Sequence, residues 1–258
     1  MTVGKNRLPW ALYHGERSDI KLHVSFTPET QMPLNVVETT GLVHDGPVGE
    51  KLADRRFILV QDWAYFNIKR IDGFVSDNQD FVIRMKENVE LSTIRSLQRL
   101  PEPGSHVTRD FTCWLGTPQS RSKKRHRVVF FTDHEGHEIR VVTSLLHVSA
   151  EAIAAMYKAR WGIESFFRWI KQNLNVPKLF GQTPNAVYNQ LFAALIVYVL
   201  LQWLYQKTKP AIRKPSLSLV AFQRTLLTGT LPLIWLDALT AFLHEYFALS
   251  RRSLSFIG

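Results

Sequence analysis

Four consecutive apolar residues, Phe57-Ile58-Leu59-Val60, with Asp62 two positions further on, constrain the fold more than any other segment of this chain. A run this short without polar alternation predicts a strand buried on both faces, the habit of strands in α/β sheets. Tyr65 to Ser76 predicts a helix, and Phe81-Val82-Ile83 a second buried strand. Asp62 therefore stands in a strand-loop-helix-strand context at the carboxyl end of a strand, where the sites of such sheets gather. Upstream, Ile20 to Phe26 and Leu34 to Thr39 partly alternate and predict two neighbouring strands, joined by a loop holding Pro28 and Pro33. The Gly- and Pro-containing stretch Gly41 to Gly49 reads as a loop, with His44-Asp45 a structural feature of it.

From Asn88 to Ser149 the texture changes to short β-type runs at Val107 to Leu115, Arg127 to Thr132 and Glu138 to Thr143. This predicts a β-rich insertion over 88–148, after an N-terminal part of the core over 1–87. The turn Asp133 to His137 contains a His-x-x-His spacing, but Gly136 makes a hairpin the simpler account, and no metal is assigned to it. Ser149 is a helix N-cap signal, and the periodic pattern behind it predicts one helix running to about Asn175, before Pro177. A second helix is expected from Pro184 to about Thr208, completing core helices over 149–208. A helical tail, 209–258, breaks around Pro232.

Lys plus Arg number 32 against 22 Asp plus Glu, a formal charge of +10 that favours a polyanionic partner such as nucleic acid. The single cysteine, Cys113, excludes an internal disulfide and a cysteine-based zinc site, and reads as a small buried hydrophobe in a reducing, cytoplasmic setting. No apolar stretch follows Lys5 and Arg7, so a signal peptide is not expected. The longest apolar run, Leu191 to Leu201, falls short of the roughly 18 to 20 residues that a bilayer span needs and reads as a core helix; no membrane partner is expected.

On a helical wheel of about 100° per residue, Tyr157, Arg160, Glu164 and Lys171 fall within roughly 60° of one another, and Arg168 extends the stripe. Met156, Ala159, Ile163, Phe166, Phe167, Ile170 and Leu174 form the opposite, apolar face. Glu164 between Arg160 and Arg168 would suit a solvated face held by weak ion pairs. One acid among three bases and a tyrosine equally suits a metal-binding carboxylate that works against phosphates, with Arg, Lys and Tyr on the DNA backbone.

The spacing Tyr157-x2-Arg160-x3-Glu164-x6-Lys171, with Arg160-Trp161, Ile163, Phe167 and Lys171-Gln172-Asn173-Leu174 around it, resembles the signature of a large subgroup of bacterial insertion-sequence DDE transposases, the insertion-sequence-four-like group. The likeness extends through Ile20-Lys21-Leu22-His23, His44-Asp45, Ile58-Leu59-Val60-x-Asp62, Phe81-Val82-Ile83-Arg84 and Phe180-Gly181, covering about residues 15 to 205. The resemblance implies an α/β, ribonuclease H-like mixed sheet flanked by helices, with a β-rich insertion before the helix carrying the last acid. It implies two magnesium (or manganese) ions held by three carboxylates for phosphodiester hydrolysis and strand transfer. Asp62 matches the second acid and Glu164 the third, both as metal ligands; Tyr157, Arg160 and Lys171 match DNA-contacting positions, and Arg168 joins them. The implied partners are double-stranded transposon-end and target DNA and a second protomer on that DNA, in the bacterial cytoplasm and nucleoid.

Two departures qualify the expectation. Relatives carry the first acid in an Asp-Ser-Thr context just ahead of a basic stretch resembling Lys5 to Trp10, a point this chain begins after, and neither Asp19 nor Asp45 is a natural substitute. Trp63 follows Asp62 where relatives have Arg. The resemblance therefore implies a truncated catalytic fragment, inactive alone and without an end-recognition domain before residue 15. A non-catalytic DNA-binding module and a ribonuclease H-like nuclease are the alternatives. The basic run Arg121 to Arg127 suits a solvated hairpin edge or a phosphate-binding loop, and Trp114 suits core packing or base stacking.

Overall fold

The computed structural model describes residues 2–4, 7–14, 17–97, 102–173, 178–214 and 216–254. The chain divides into two compact units, Met1–Arg168 and Trp169–Gly258. The first carries β1 (Thr2–Gly4), β2 (Leu12–Tyr13), β3 (Arg17–Thr27), β4 (Met32–Thr40), α1 (Asp45–Lys51), β5 (Leu59–Gln61), α2 (Ile68–Ser76) and β6 (Phe81–Arg84). It continues with β7 (Leu91–Ser96), β8 (Val107–Leu115), β9 (His126–Thr132), β10 (Glu138–Thr143) and α3 (Ala150–Ala159). α4 (Trp161–Asn173) crosses the division, and α5 (Pro184–Thr208), α6 (Leu219–Leu227) and α7 (Leu233–Leu254) make up the second unit.

The architecture is mixed α/β. Six strands pair in the order β5-β6-β10-β9-β8-β7, parallel between β5 and β6 and antiparallel elsewhere. Period-2 alternation gives this sheet two apolar faces. Phe81, Ile83, Phe111, Cys113, Val128, Phe130 and Val142 point to one side, where Phe66 and the α2 residues Ile71 and Phe74 cover them. Val82, Val129, Phe131 and Val141 point to the other, under the α3 residues Ile153 and Tyr157. Two covered faces explain why Val128-Val129-Phe130-Phe131 is apolar without a break. The stretch 88–148 is accordingly no separate layer: β8, β9 and β10 extend the sheet that β6 begins, and Cys113 is buried in it with its thiol pushed up to about 11 by burial.

The other strands form a separate sheet around β3, which pairs with β4 in a long hairpin and with β1 and β2 at its start.

Several expectations shift. The run Phe57 to Val60 is not buried on both faces: the strand is Leu59–Gln61, it lies at the end of its sheet, and Phe57 and Ile58 are 43% and 38% exposed. At the opposite edge, β7 carries mostly exposed, polar residues, the usual protection of an edge; β5 lacks it. Gly41 to Gly49 is not all loop, because α1 starts at Asp45, with Gly46 and Gly49 letting it approach Arg70 and Tyr65 more closely than a Cβ would allow.

The single helix expected from Ser149 is two. Around Arg160 the bonds Arg160 N–H to Tyr157 O and Ile163 N–H to Arg160 O span three residues rather than four, and α4 begins at Trp161. Gly162 sits at this joint, where a Cβ would come 3.3 Å from the Phe26 ring. The expected end near Asn175, and Leu174 on the apolar face, lie outside the described residues.

α5 matches its expected span and is, by length and composition alone, long and apolar enough to cross a membrane, with a mean hydropathy of 1.6. The earlier shortfall came from counting only an uninterrupted run. Within its own unit α5 packs against α6 and α7, with Leu204 and Tyr205 against the buried Phe222 and Trp235, and Trp203 edge-on to Phe242 and Tyr246.

The basic run Arg121 to Arg127 is divided by the start of β9 at His126. Arg121, Lys123 and Lys124 are exposed, Arg125 donates to the Thr93 and Thr112 carbonyls, and His126 and Arg127 are buried. Arg127 forks onto Asp110 at 2.8 Å and donates to the carbonyls of Leu145 and Val148, at 2.6 and 2.7 Å, fixing the loop that leads into α3. His126 bonds Asp72 at 3.0 Å, and burial holds its imidazole below the ordinary 6.5 despite the pull of that carboxylate. Arg127→Met strands a buried carboxylate and two carbonyls, and is expected to lower unfolding stability by about 3–5 kcal/mol in urea titration. On acidification the unfolded chain takes up the His126 proton before the folded one does. The urea midpoint is therefore expected to fall as pH drops from about 7 to about 5, and His126→Gln to flatten that dependence.

Candidate active site

Asp62 follows the last residue of β5 and caps the 3-10 turn Trp63–Tyr65, with Oδ1 accepting the Trp63 amide at 2.8 Å. Behind the turn, Arg70 of α2 pairs with Glu50 of α1 and donates to the Tyr65 carbonyl at 2.8 Å, so the turn is held from both flanking helices. From the covered face of the sheet, the α3 residue Tyr157 reaches up and donates its hydroxyl to the same Asp62 oxygen at 3.0 Å. Burial, and then the Asp62 charge, push the phenol above its ordinary 10.0.

One turn on, Arg160 lies over the Tyr157 ring at 5.6 Å and pairs with Glu164 Oε1 at 2.9 Å. Burial opposes its charge, but Tyr157, Glu164 and Asp62 together raise its pKa. The structure thus strings Asp62, Tyr157, Arg160 and Glu164 into one connected polar chain on the joint between α3 and α4. Arg168 and Lys171, further along α4, are exposed. Tyr157, which the resemblance matches to a DNA-contacting position, is 2% exposed, with its hydroxyl on Asp62.

Two carboxylates with oxygens to spare suit a hard divalent ion. Among the described residues, Asp62 Oδ2 and Glu164 Oε2 take no hydrogen bond, and the buried Nε of Arg160 and Oε1 of Gln61 have no partner. Unsatisfied buried polar atoms beside two acids are what a metal and phosphate site shows before its ligands arrive.

Two residues that the sequence marked only as a structural loop acid and a departure from relatives, Asp45 and Trp63, stand beside the site. Asp45 leads α1, pairs with Lys21 at 3.0 Å, and joins Asp62 in raising the Tyr65 pKa after burial, so it belongs to the surroundings of the site. The signal was the Lys21 and Asp45 pair itself, too far apart in sequence to be read. Trp63 is 50% exposed beside Asp62, with Lys86 6.0 Å from its ring centre. Trp114 is half-buried on β8 opposite Ser92. Asp133, Glu135 and His137 could also gather an ion, but the Asp133 carboxylate accepts the Glu135 and His137 amides at 2.9 Å and so builds the turn.

The transposase DDE domain family matches residues 6–200. This chain belongs to that family. The chain is 60% identical over 246 residues to a Geobacillus stearothermophilus protein named as probable transposase for insertion sequence element IS5377, across 95% of this chain and 65% of the relative. It is 32% identical over 197 residues to the transposase-named y4zB of Sinorhizobium fredii, and 27% identical over 211 residues to one named for element IS4SA of Synechocystis. Those matches cover 75% and 77% of this chain and 55% and 56% of the relatives, so the DDE domain spans less than two thirds of each of the three. A likeness to piggyBac transposase in a synaptic complex with hairpin DNA, at a TM-score of 0.48 and 10% identity over 91% of this chain and 49% of that one, carries no argument.

Proposed function

We propose that this DDE domain is the catalytic part of an insertion-sequence transposase, which hydrolyses phosphodiesters at transposon ends and transfers the freed 3′-hydroxyl to target DNA in the bacterial cytoplasm. The observation that carries the reading is the linkage of Asp62, at the end of β5, to Glu164 through Tyr157 and Arg160. Asp62 and Glu164 are the residues that would hold magnesium or manganese. A metal held there would supply activation of the attacking oxygen and charge stabilisation at the leaving one. Arg160 lies where its guanidinium can leave Glu164 for a phosphate, with its Nε already unpartnered. Arg168 and Lys171 supply exposed charge for the DNA backbone beyond the reacting group, and a second protomer on the same DNA follows from the family.

Two carboxylates suffice for one such ion but hold the pair poorly, so the chain by itself is read as inactive. The half-exposed apolar run Phe57 to Val60 supports a further strand beside β5, in the longer relatives, as the source of another acid. A non-catalytic DNA-binding module remains the second reading, favoured by the +10 charge.

A chimera that supplies the additional sequence of the 60%-identical relative is expected to nick a terminal-repeat duplex with magnesium or manganese, and Asp62→Ala or Glu164→Ala to return nicking to background. Cutting that survives both substitutions would sink the site assignment, and salt-dependent binding without any cutting would favour the second reading. In the unaltered chain, Arg168→Ala and Lys171→Ala are each expected to reduce the slope of log affinity against log salt by about 1, measured by fluorescence anisotropy.

A further inference from the structure

We infer that Tyr157 is a positioning residue for the Asp62 carboxylate. The inference rests on the reading of Asp62 and Glu164 as metal ligands. A carboxylate at the end of an edge strand turns freely about its last torsion unless something stops it, because that torsion has only broad minima. Here two donors converge on one oxygen: the Trp63 amide at 2.8 Å and the Tyr157 hydroxyl at 3.0 Å both point at Oδ1. Oδ2 is left as the free oxygen.

The two donors come from independent parts of the fold. The amide belongs to the 3-10 turn that Asp62 itself caps. The hydroxyl is brought from the other side by α3, on a ring 2% exposed and 6.1 Å from the Phe131 ring, inside the cluster of Val82, Val129, Val141 and Ile153. A phenol packed in this way keeps its hydroxyl in one place, and that place is against the carboxylate. Magnesium demands near-ideal geometry, so an oxygen presented in one fixed direction binds it better than one that must first be ordered. Tyr157 also stands three residues before Arg160, which holds Glu164, so one short segment of helix sets the direction of both acids.

The test is Mn2+ binding to the unaltered chain and its variants, followed by the electron paramagnetic resonance of free Mn2+, with urea midpoints taken alongside. Tyr157→Phe keeps the ring and its packing and removes only the hydroxyl. It is expected to weaken Mn2+ about 10-fold, the lower end of the effect of losing a partner behind a metal ligand. In an Asp62→Asn background the same change is expected to alter Mn2+ affinity no further; a merely structural tyrosine would weaken both backgrounds equally. Wild-type affinity in Tyr157→Phe, with affinity lost in Asp62→Asn, overturns the positioning role and leaves the metal site standing. Unchanged binding in both Asp62→Asn and Glu164→Gln, or no saturable Mn2+ binding by the unaltered chain, overturns the metal site and the positioning role with it.

Discussion

Arg127 is the cation on which the rest of the catalytic unit depends. It lies 1% exposed inside the sheet, satisfied by Asp110 of the neighbouring strand and by two carbonyls of the loop before α3. A buried guanidinium is tolerated only where its fork is filled, and these partners fill it in one geometry. That geometry ties the start of α3 to β8 and β9. Everything the site needs from helices then follows in a fixed order: the Ser149 cap, Ile153 and Tyr157 pressed on the sheet, Arg160 at the joint, and Glu164 one turn beyond.

The joint itself is a compromise between two packing demands. α3 must lie on the six-stranded sheet, while α4 must meet the β3–β4 hairpin, where Phe26 and Phe166 stand 5.1 Å apart. Gly162, without a Cβ, permits that approach. A straight helix would serve one surface and miss the other. The break falls between Tyr157, which bonds Asp62, and Glu164, so it sets the direction of α4 and of Glu164 relative to Tyr157.

Much of this was legible in the sequence where local rules and tertiary packing agree. Val128 to Phe131, Phe81 to Ile83 and the Thr183-Pro184 start of α5 each carry their own signal, and the spacing from Tyr157 to Lys171 pointed to the family that residues 6–200 match. What escaped was set by partners distant along the chain. α1 looked like loop because its glycines answer to Arg70 and Tyr65. Arg127 looked like one more surface base because Asp110 and the α3 loop lie 17 to 21 residues away. The bond from Tyr157 to Asp62 escaped because a helical wheel cannot show a partner 95 residues earlier.

The open flank of β5 bears on the strength of every charge beside it. Among the described strands β5 pairs only with β6, so along its other side the hydrogen-bonding groups next to Asp62 have no strand partner. A high local dielectric weakens, and a low one strengthens, the hold of Tyr157 on Asp62 and of Arg160 on Glu164 together. Whatever lies against that flank therefore sets, through its water content, the strength of both interactions at once.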